Sequence, residues 1–253
     1  MTTAPTLDGS VSAAATGSFS TASLSTTKTN DIIVFVVYNE QATQQTVSSI
    51  TSSGCNLALY GAFTGVDPAR PGRYVSLEIW WGFSSAILTS HVFTIAMSGT
   101  FDDGGYVGFG VNGVANTSSP WDSSASFPAH GTGGTLTFST IQAHDLLISA
   151  FASSTNNTPA SNANVHGTSS QYDSGSYPVA WTQLANTSTA GGSQWAFMSV
   201  YTGATSATIA GLTVGPPATM LNPAADLAFV GGALTADVVV AASGQSFMNF
   251  GPI

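Results

Sequence analysis

Short apolar runs, separated by polar and glycine-rich segments, recur along the whole chain. The longest uninterrupted run, residues 32–38, reads IIVFVVY. Runs this short, rich in β-branched and aromatic residues and bounded by Gly, Asn, Asp and Pro, predict β-strands. The predicted strands are residues 19–24, 32–38, 47–50, 57–63, 75–81, 91–97, 106–111, 134–138, 146–152, 179–185, 195–201, 207–212, 225–230 and 236–241.

The polarity of each run predicts where its strand lies in a sheet. A fully apolar run such as 32–37 predicts a central strand that is buried on both faces, whereas the alternating segment 76–80 predicts a strand with one face in water. Gly, Ser and Thr dominate the composition, which disfavours helices of any length. The pattern therefore predicts an all-β protein, and the polar stretch 153–176 predicts an exposed loop.

The same pattern occurs twice. A shift of 114 residues places Ser25 on Ser139 and Asp31 on Asp145, and it aligns the apolar runs that follow. This repeat predicts two related halves, arranged either as one jelly-roll-like antiparallel β-sandwich or as two packed sandwiches. We expect a first half over residues 1–114, a linker over 115–130, a second half over 131–235, and a C-terminal strand and apolar docking tail over 236–253.

Charge narrows the range of possible partners. Charged residues make up 6 % of the chain, against roughly 25 % in ordinary globular proteins, and the net charge is −9. Three cations, Lys28, Arg70 and Arg73, are too few to bind a phosphate backbone, so we expect no nucleic-acid partner. No apolar run approaches the roughly 20 residues of a membrane helix. A surface poor in charge favours packing against neighbouring proteins or copies of the chain.

The sequence has few features that indicate disulfide bonding or export. Cys55 is the only cysteine, which excludes an internal disulfide and predicts a small buried side chain. Residues 1–18 lack the basic and apolar regions of a signal peptide, so we expect synthesis in the cytoplasm.

Catalytic patterns are weak. The four histidines show no zinc-ligand spacing, and the chain has no G-x-S-x-G motif. Glu40 and Glu78 are the only glutamates. Glu78, within the aromatic segment 77–81, is the best candidate for sugar chemistry, but its alternating strand predicts a solvent-facing carboxylate paired with Arg70 or Arg73. We therefore expect no enzyme and no cofactor.

The remaining aspartates suggest turns. Asp102-Asp103-Gly-Gly predicts a hairpin turn, with a calcium site as the weaker alternative because the spaced ligand run of calcium loops is missing. Asp31 and Asp145 are expected to accept backbone N–H groups where their strands begin.

Aromatic and apolar residues are the candidates for an interface or a ligand platform. Adjacent Trp80 and Trp81 must point to opposite faces of a regular strand. An exposed tryptophan could stack on a sugar ring or anchor a protein interface, and the charge-poor surface favours the interface. The full set of interface or ligand candidates is Trp80, Trp81, Trp121, Trp195, Phe247, Met248, Phe250 and Ile253.

Several short patterns, in order, resemble the β-sandwich proteins of tailed bacteriophages. They are GVNGV at 110–114 followed by SPWD at 119–122, the strand starts NDIIV at 30–34 and HDLLI at 144–148, the aromatic strand LEIWW at 77–81, and the segment 93–99. The resemblance implies a non-enzymatic structural role in the virion, as head decoration, minor capsid or tail-associated protein. Its partners would be other virion proteins and copies of itself.

Two other classes remain open at this point. A carbohydrate-binding module or tail adhesin would present a Trp or Tyr platform with convergent polar groups to a host surface glycan. A polysaccharide depolymerase would place two carboxylates about 5 to 9.5 Å apart in a groove.

Overall fold

A computed structural model describes residues 4–67, 70–115, 118–132, 136–155, 179–191, 194–210, 212–214 and 228–236. Within these ranges the chain is all-β and no helix is long and apolar enough to cross a membrane. The strands are β1 (Thr6–Gly17), β2 (Ala22–Leu24), β3 (Asp31–Gln41), β4 (Val47–Thr51), β5 (Ala58–Val66), β6 (Tyr74–Ser84), β7 (His91–Met97), β8 (Phe101–Asn112), β9 (Ala129–Thr132), β10 (Leu136–Phe138), β11 (Leu146–Thr155), β12 (Val179–Gly191), β13 (Gln194–Thr205), β14 (Leu212–Val214) and β15 (Ala228–Leu234).

The first half of the chain forms two antiparallel sheets. The larger has the strand order β1-β8-β3-β6-β5, and the smaller has the order β2-β7-β4. The apolar run predicted to be a central strand is β3, which pairs with β6 and β8 and is fully buried from Ile32 to Val37. This prediction is confirmed.

The second half forms a similar pair of sheets. Its larger sheet has the order β12-β13-β11-β15-β9, and its smaller sheet pairs β10 with β14. When the strands are matched by their position along each half, β9, β15, β11, β13 and β12 take the places of β1, β8, β3, β6 and β5. The two larger sheets therefore have the same strand order.

The two larger sheets share one apolar core. Alternating residues of β3, among them Val34 and Val36, pack in one cluster with residues of the second half such as Ile148 and Val230. The intervening residues of β3 point to the opposite face, because side chains alternate along a strand. There they form a second cluster with the smaller sheet of the first half. Both faces of the first large sheet are thus covered.

The smaller sheet covers one face of the first large sheet, and this explains why one prediction is wrong. Residues 76–80 do not have a face in water: Ser76, Glu78 and Trp80 are all buried. They lie in β6, where the smaller sheet covers the face that alternation alone assigned to solvent.

Other strand boundaries also differ from the prediction. Asp102 and Asp103 do not form a hairpin turn but lie within β8, which pairs with β1 on one side and β3 on the other. The unpredicted strand β1 supplies that pairing. Residues 129–130 of the predicted linker belong to β9, and residues 207–210 lie outside any strand. Most of the predicted loop 153–176 lies outside the described residues, and residues 153–155 belong to β11.

Candidate functional site

A buried cluster of charged side chains lies at one end of the first large sheet. Glu40, near the end of β3, is fully buried and binds two arginines. Arg70 Nη1 lies 3.2 Å from Glu40 Oε2, and Arg73 Nη2 lies 3.1 Å from the same oxygen, while Arg73 Nε contacts Glu40 Oε1. Arg73 also pairs with the half-exposed Asp102. Two of the three cations in the chain therefore serve one buried carboxylate.

A tight turn between β5 and β6 delivers both arginines. The Asp67 amide donates to the Arg73 carbonyl at 2.7 Å, and the Arg73 amide donates to the Arg70 carbonyl at 3.0 Å. Gly72 takes a φ of 89° within this turn, a backbone conformation that favours glycine. The turn thus places the two guanidinium groups on the same side, over the end of β3.

More buried polar groups surround the charged cluster. The Tyr38 hydroxyl, both side-chain polar atoms of Asn39 and Asp103 Oδ1 have no hydrogen-bond partner within the described part of the chain. Burial raises the pKa of Tyr38, and the carboxylates of Asp67, Glu40 and Asp103 raise it further. Buried polar groups without partners cost free energy, so this end of the sheet is suited to holding water or a polar ligand.

An open cleft of about 520 Å³ adjoins the cluster. Its lining residues are Thr16, Gly17, Gln41, Thr100, Phe101, Asp102 and Asp103. Two acids, one side-chain amide and two threonine hydroxyls line the cleft. It therefore offers hydrogen-bonding groups to a polar ligand.

The calcium alternative gains no further ligands. Asp102 is already paired with Arg73, and in the described ranges no group of three or more His, Cys, Asp or Glu side chains could hold a metal. A calcium ion at Asp102 and Asp103 stays a prediction.

Glu78 is held by hydrogen bonds within the chain, so the prediction of a solvent-facing Glu78 paired with an arginine is wrong. Its carboxylate is buried and accepts hydrogen bonds from the Val47 amide at 2.9 Å, the Trp80 indole N–H at 2.8 Å and the Ser76 hydroxyl. Three donors from the chain itself occupy the carboxylate. Glu78 therefore ties β4 to β6, and Glu40 takes the arginines instead.

The predicted aromatic candidates contribute to the core. Trp80 is 8 % exposed and points to the smaller sheet, whereas Trp81 points to the opposite face. Trp121 stacks on Tyr60 with ring centroids 3.6 Å apart and meets Trp81 edge-on at 6.4 Å. These three rings join the linker, β5 and β6. They hold the two halves together and provide no exposed platform.

The other interface candidates are only partly described. Trp195 lies in β13, where its backbone pairs with Thr155 and Ala190. Phe247, Met248, Phe250 and Ile253 lie outside the described residues. Among the side chains that the structure describes, the exposed large apolar ones are Leu59, Val66, Ile87, Val92 and Ile141. Leu59 and Val66 both belong to β5, an edge strand of the first large sheet.

In the described residues, no backbone N–H of the preceding turn donates to Asp31 or Asp145, so this prediction is wrong. In the first half Asp8 takes this role, accepting hydrogen bonds from the backbone amides of Thr27 and Lys28. In the second half Asp122 binds the amides of residues 141 and 142. Sequence analysis missed Asp8 and Asp122, although they are separated by the same 114 residues as Asp31 and Asp145. The repeat could have identified them.

Comparison with known proteins identifies no relative. No protein-family model matches the chain, and neither a curated protein nor a solved structure resembles it closely enough to count as similar.

Proposed function

We propose that this chain is a non-enzymatic structural protein of a tailed-phage virion, with head decoration or a minor capsid position as its best placement. The observation that carries the non-enzymatic part is the state of the two glutamates. Glu40 and Glu78 are buried, and internal donors occupy both carboxylates. A glycoside hydrolase needs two carboxylates across an open groove, and neither glutamate meets this requirement. The phage assignment itself is supported by the short sequence patterns alone.

We also infer that the two halves are copies of one jelly-roll-like module. In the first half, β1-β8-β3-β6 faces β2-β7-β4, the alternating order that two interleaved Greek keys produce. The equivalent threonines Thr26 and Thr140 support the duplication. Thr26 exchanges hydrogen bonds with the backbone of Leu88, and Thr140 does the same with Ile209. Stacked sandwiches with charge-poor surfaces suit a building block of a larger assembly.

Edge strand β5 is the best candidate for the attachment surface. It carries no charged residue over its nine positions, and Leu59 and Val66 are 50 % and 52 % exposed. Natural proteins usually protect a sheet edge with charge, proline or a bulge, and of these β5 has only a register shift between Leu59 and Gly61. An uncharged edge with exposed apolar side chains favours pairing with a neighbouring protein, here the capsid surface.

Co-sedimentation with phage heads tests this attachment. The wild-type chain should sediment with heads that lack it. A Leu59→Ser, Val66→Thr double variant should bind roughly tenfold to hundredfold more weakly, since burying one such side chain contributes about 1.5–3 kcal/mol. Val92→Thr is the matched control, because Val92 is equally exposed but lies on β7 of the smaller sheet. Equal binding by all three proteins would contradict the β5 surface.

The alternative is a tail- or fibre-associated carbohydrate-binding module. The cleft beside Gln41, Asp102 and Asp103 favours it, because amide and carboxylate groups are suited to sugar hydroxyls. The burial of Trp80 and the packing of the half-buried Trp121 against Tyr60 and Trp81 do not favour it. A glycan array distinguishes the two functions: binding that Gln41→Ala abolishes, in a chain that ignores phage heads, would select the alternative.

A further inference from the structure

Asp122 is a buried carboxylate with its donors in place. It is 3 % exposed and follows Trp121 in the segment that joins the two halves. Its Oδ1 accepts a hydrogen bond from the Ser124 amide at 2.6 Å, and its Oδ2 accepts from the amides of Ile141 and Gln142 at 3.0 and 3.3 Å. Three backbone donors therefore occupy the oxygens of this carboxyl group.

Asp145 has far fewer hydrogen-bond donors than Asp122. It is fully buried immediately before β11, and no side-chain donor within the described residues reaches its carboxylate oxygens, which the backbone of Ala236 alone approaches. The Thr205 hydroxyl, opposite it on β13, is also buried without a partner among the described residues. A buried carboxylate with so few donors is costly, so the ionised form of Asp145 is poorly supported.

Comparison with the first half shows which hydrogen-bond donor Asp145 lacks. There the equivalent residue, Asp31, accepts a hydrogen bond from the side-chain amide of Asn112 at 2.8 Å. The strand pairing places Thr235 at the position of Asn112, since Val111 pairs with Ile32 as Leu234 pairs with Leu146. Thr235 uses its hydroxyl on the Pro120 carbonyl at 3.1 Å. The second half has thus lost the amide donor.

No cation replaces this donor. Residues 74–253 contain neither lysine nor arginine. The Asp122 amide donates to the Ala233 carbonyl at 2.8 Å, and Ala233 pairs with Leu147, so Asp122 lies beside the start of β11. Among the described residues, the titratable groups around Asp145 are Asp122 from the linker, His144 in the preceding turn and Tyr60 from β5, whose pKa is raised by burial and by the Asp122 charge. The other groups facing it, Thr205 and Thr235, are uncharged. A proton is the remaining means of neutralising this carboxyl pair.

We infer that Asp145 and Asp122 share one proton at neutral pH, with the Asp145 carboxyl donating to the Asp122 carboxylate, and that loss of this proton loosens the second half where the linker meets its large sheet. This Asp122–Asp145 pair, which we call the brace, is a pH-sensitive contact between the linker and the second half. The inference holds whether or not the chain belongs to a virion.

The direction of the pH effect follows from the titration of Asp145. Burial, together with the Asp122 carboxyl, raises its pKa to about 8, and the backbone of Ala236 opposes this rise. A raised pKa means that the folded chain holds a proton that the unfolded chain has released. The stability from this proton is fully present below the ordinary pKa of aspartate, falls as pH rises, and is exhausted above about pH 8.

Urea unfolding of the full chain at a series of pH values tests the brace, with wild type compared to Asp145→Asn. The asparagine donates to Asp122 at every pH and holds no proton. Between about pH 5 and about pH 8, the unfolding equilibrium constant of the wild type should rise relative to the variant, by up to roughly tenfold per pH unit, and then level off. Thr235→Asn, which restores the donor of the first half, should also flatten the profile. Parallel profiles for wild type and Asp145→Asn would overturn the inference.

A second measurement does not depend on the variants folding. The infrared spectrum of the wild-type chain at neutral pH should contain the absorption of a buried protonated carboxyl group, and this band should disappear as pH rises above about 8. A spectrum with every carboxyl ionised at neutral pH would overturn the shared proton.

Discussion

Glu40 and Asp145 are both fully buried carboxyl groups, and the chain neutralises them by different means. Glu40 has two arginines, whereas Asp145 has no cation near it. The sequence shows both acids but not this difference. Arg70 and Arg73 lie about 30 residues from Glu40, and the turn that carries them could deliver them to Glu78 as well. Only the pairing of β3 with β6 and β8 decides between the two glutamates.

Glu40→Gln should be strongly destabilising. The substitution leaves Arg70 and the largely buried Arg73 without their shared carboxylate, and breaking a buried ion pair from one side costs about 3–5 kcal/mol. Urea unfolding at neutral pH measures the loss. Asp102→Asn is the matched control, because this half-exposed partner of Arg73 should contribute less than about 1 kcal/mol. Equal losses for the two variants would contradict the central place of Glu40.

Among the strands, β3 could be predicted from the sequence and β1 could not. The run IIVFVV made β3 predictable, because a short apolar run rich in β-branched residues is typical of a strand covered on both faces. β1 reads TLDGSVSAAATG, and its small polar residues show no apolar alternation, so nothing marked it as a strand. Because β1 was not predicted, Asp102 and Asp103 had no predicted strand to pair with, and their sequence indicated a turn instead.

Strands β8 and β15 each carry a glycine beneath a phenylalanine ring. A Cβ on Gly108 of β8 would lie 2.6 Å from the ring of Phe35, and a Cβ on Gly231 of β15 would lie 2.6 Å from the ring of Phe138. Both rings are fully buried, and Phe35 also contacts the Phe93 and Tyr106 rings, so they have little room to move. These two positions require glycine for space.

Gly108→Ala should therefore destabilise the chain by about 1–3 kcal/mol through overpacking. Thermal and urea unfolding measure the effect. Gly131→Ala is the control within a strand, since a Cβ there meets nothing within 4 Å, and it should be neutral or slightly stabilising. A Gly108→Ala variant as stable as Gly131→Ala would show that the ring gives way and that the packing argument is wrong.

At the scale of the molecule, the sequence pattern predicted the all-β class, and the structure confirms it. The way the two large sheets pack was not predictable, because a strand buried on both faces does not reveal what covers each face. Val34 and Phe35 look alike in the sequence, yet one faces the second half and the other the smaller sheet.

We propose that this chain is a structural component of a virion, and mass spectrometry of density-purified phage particles from the host that encodes the chain tests this proposal. The chain should be present in intact particles, in a fixed ratio to the major capsid protein, and should stay with the heads when tails are removed. Absence of the chain from purified particles, in a host where it is abundant in the soluble lysate, would contradict the proposal.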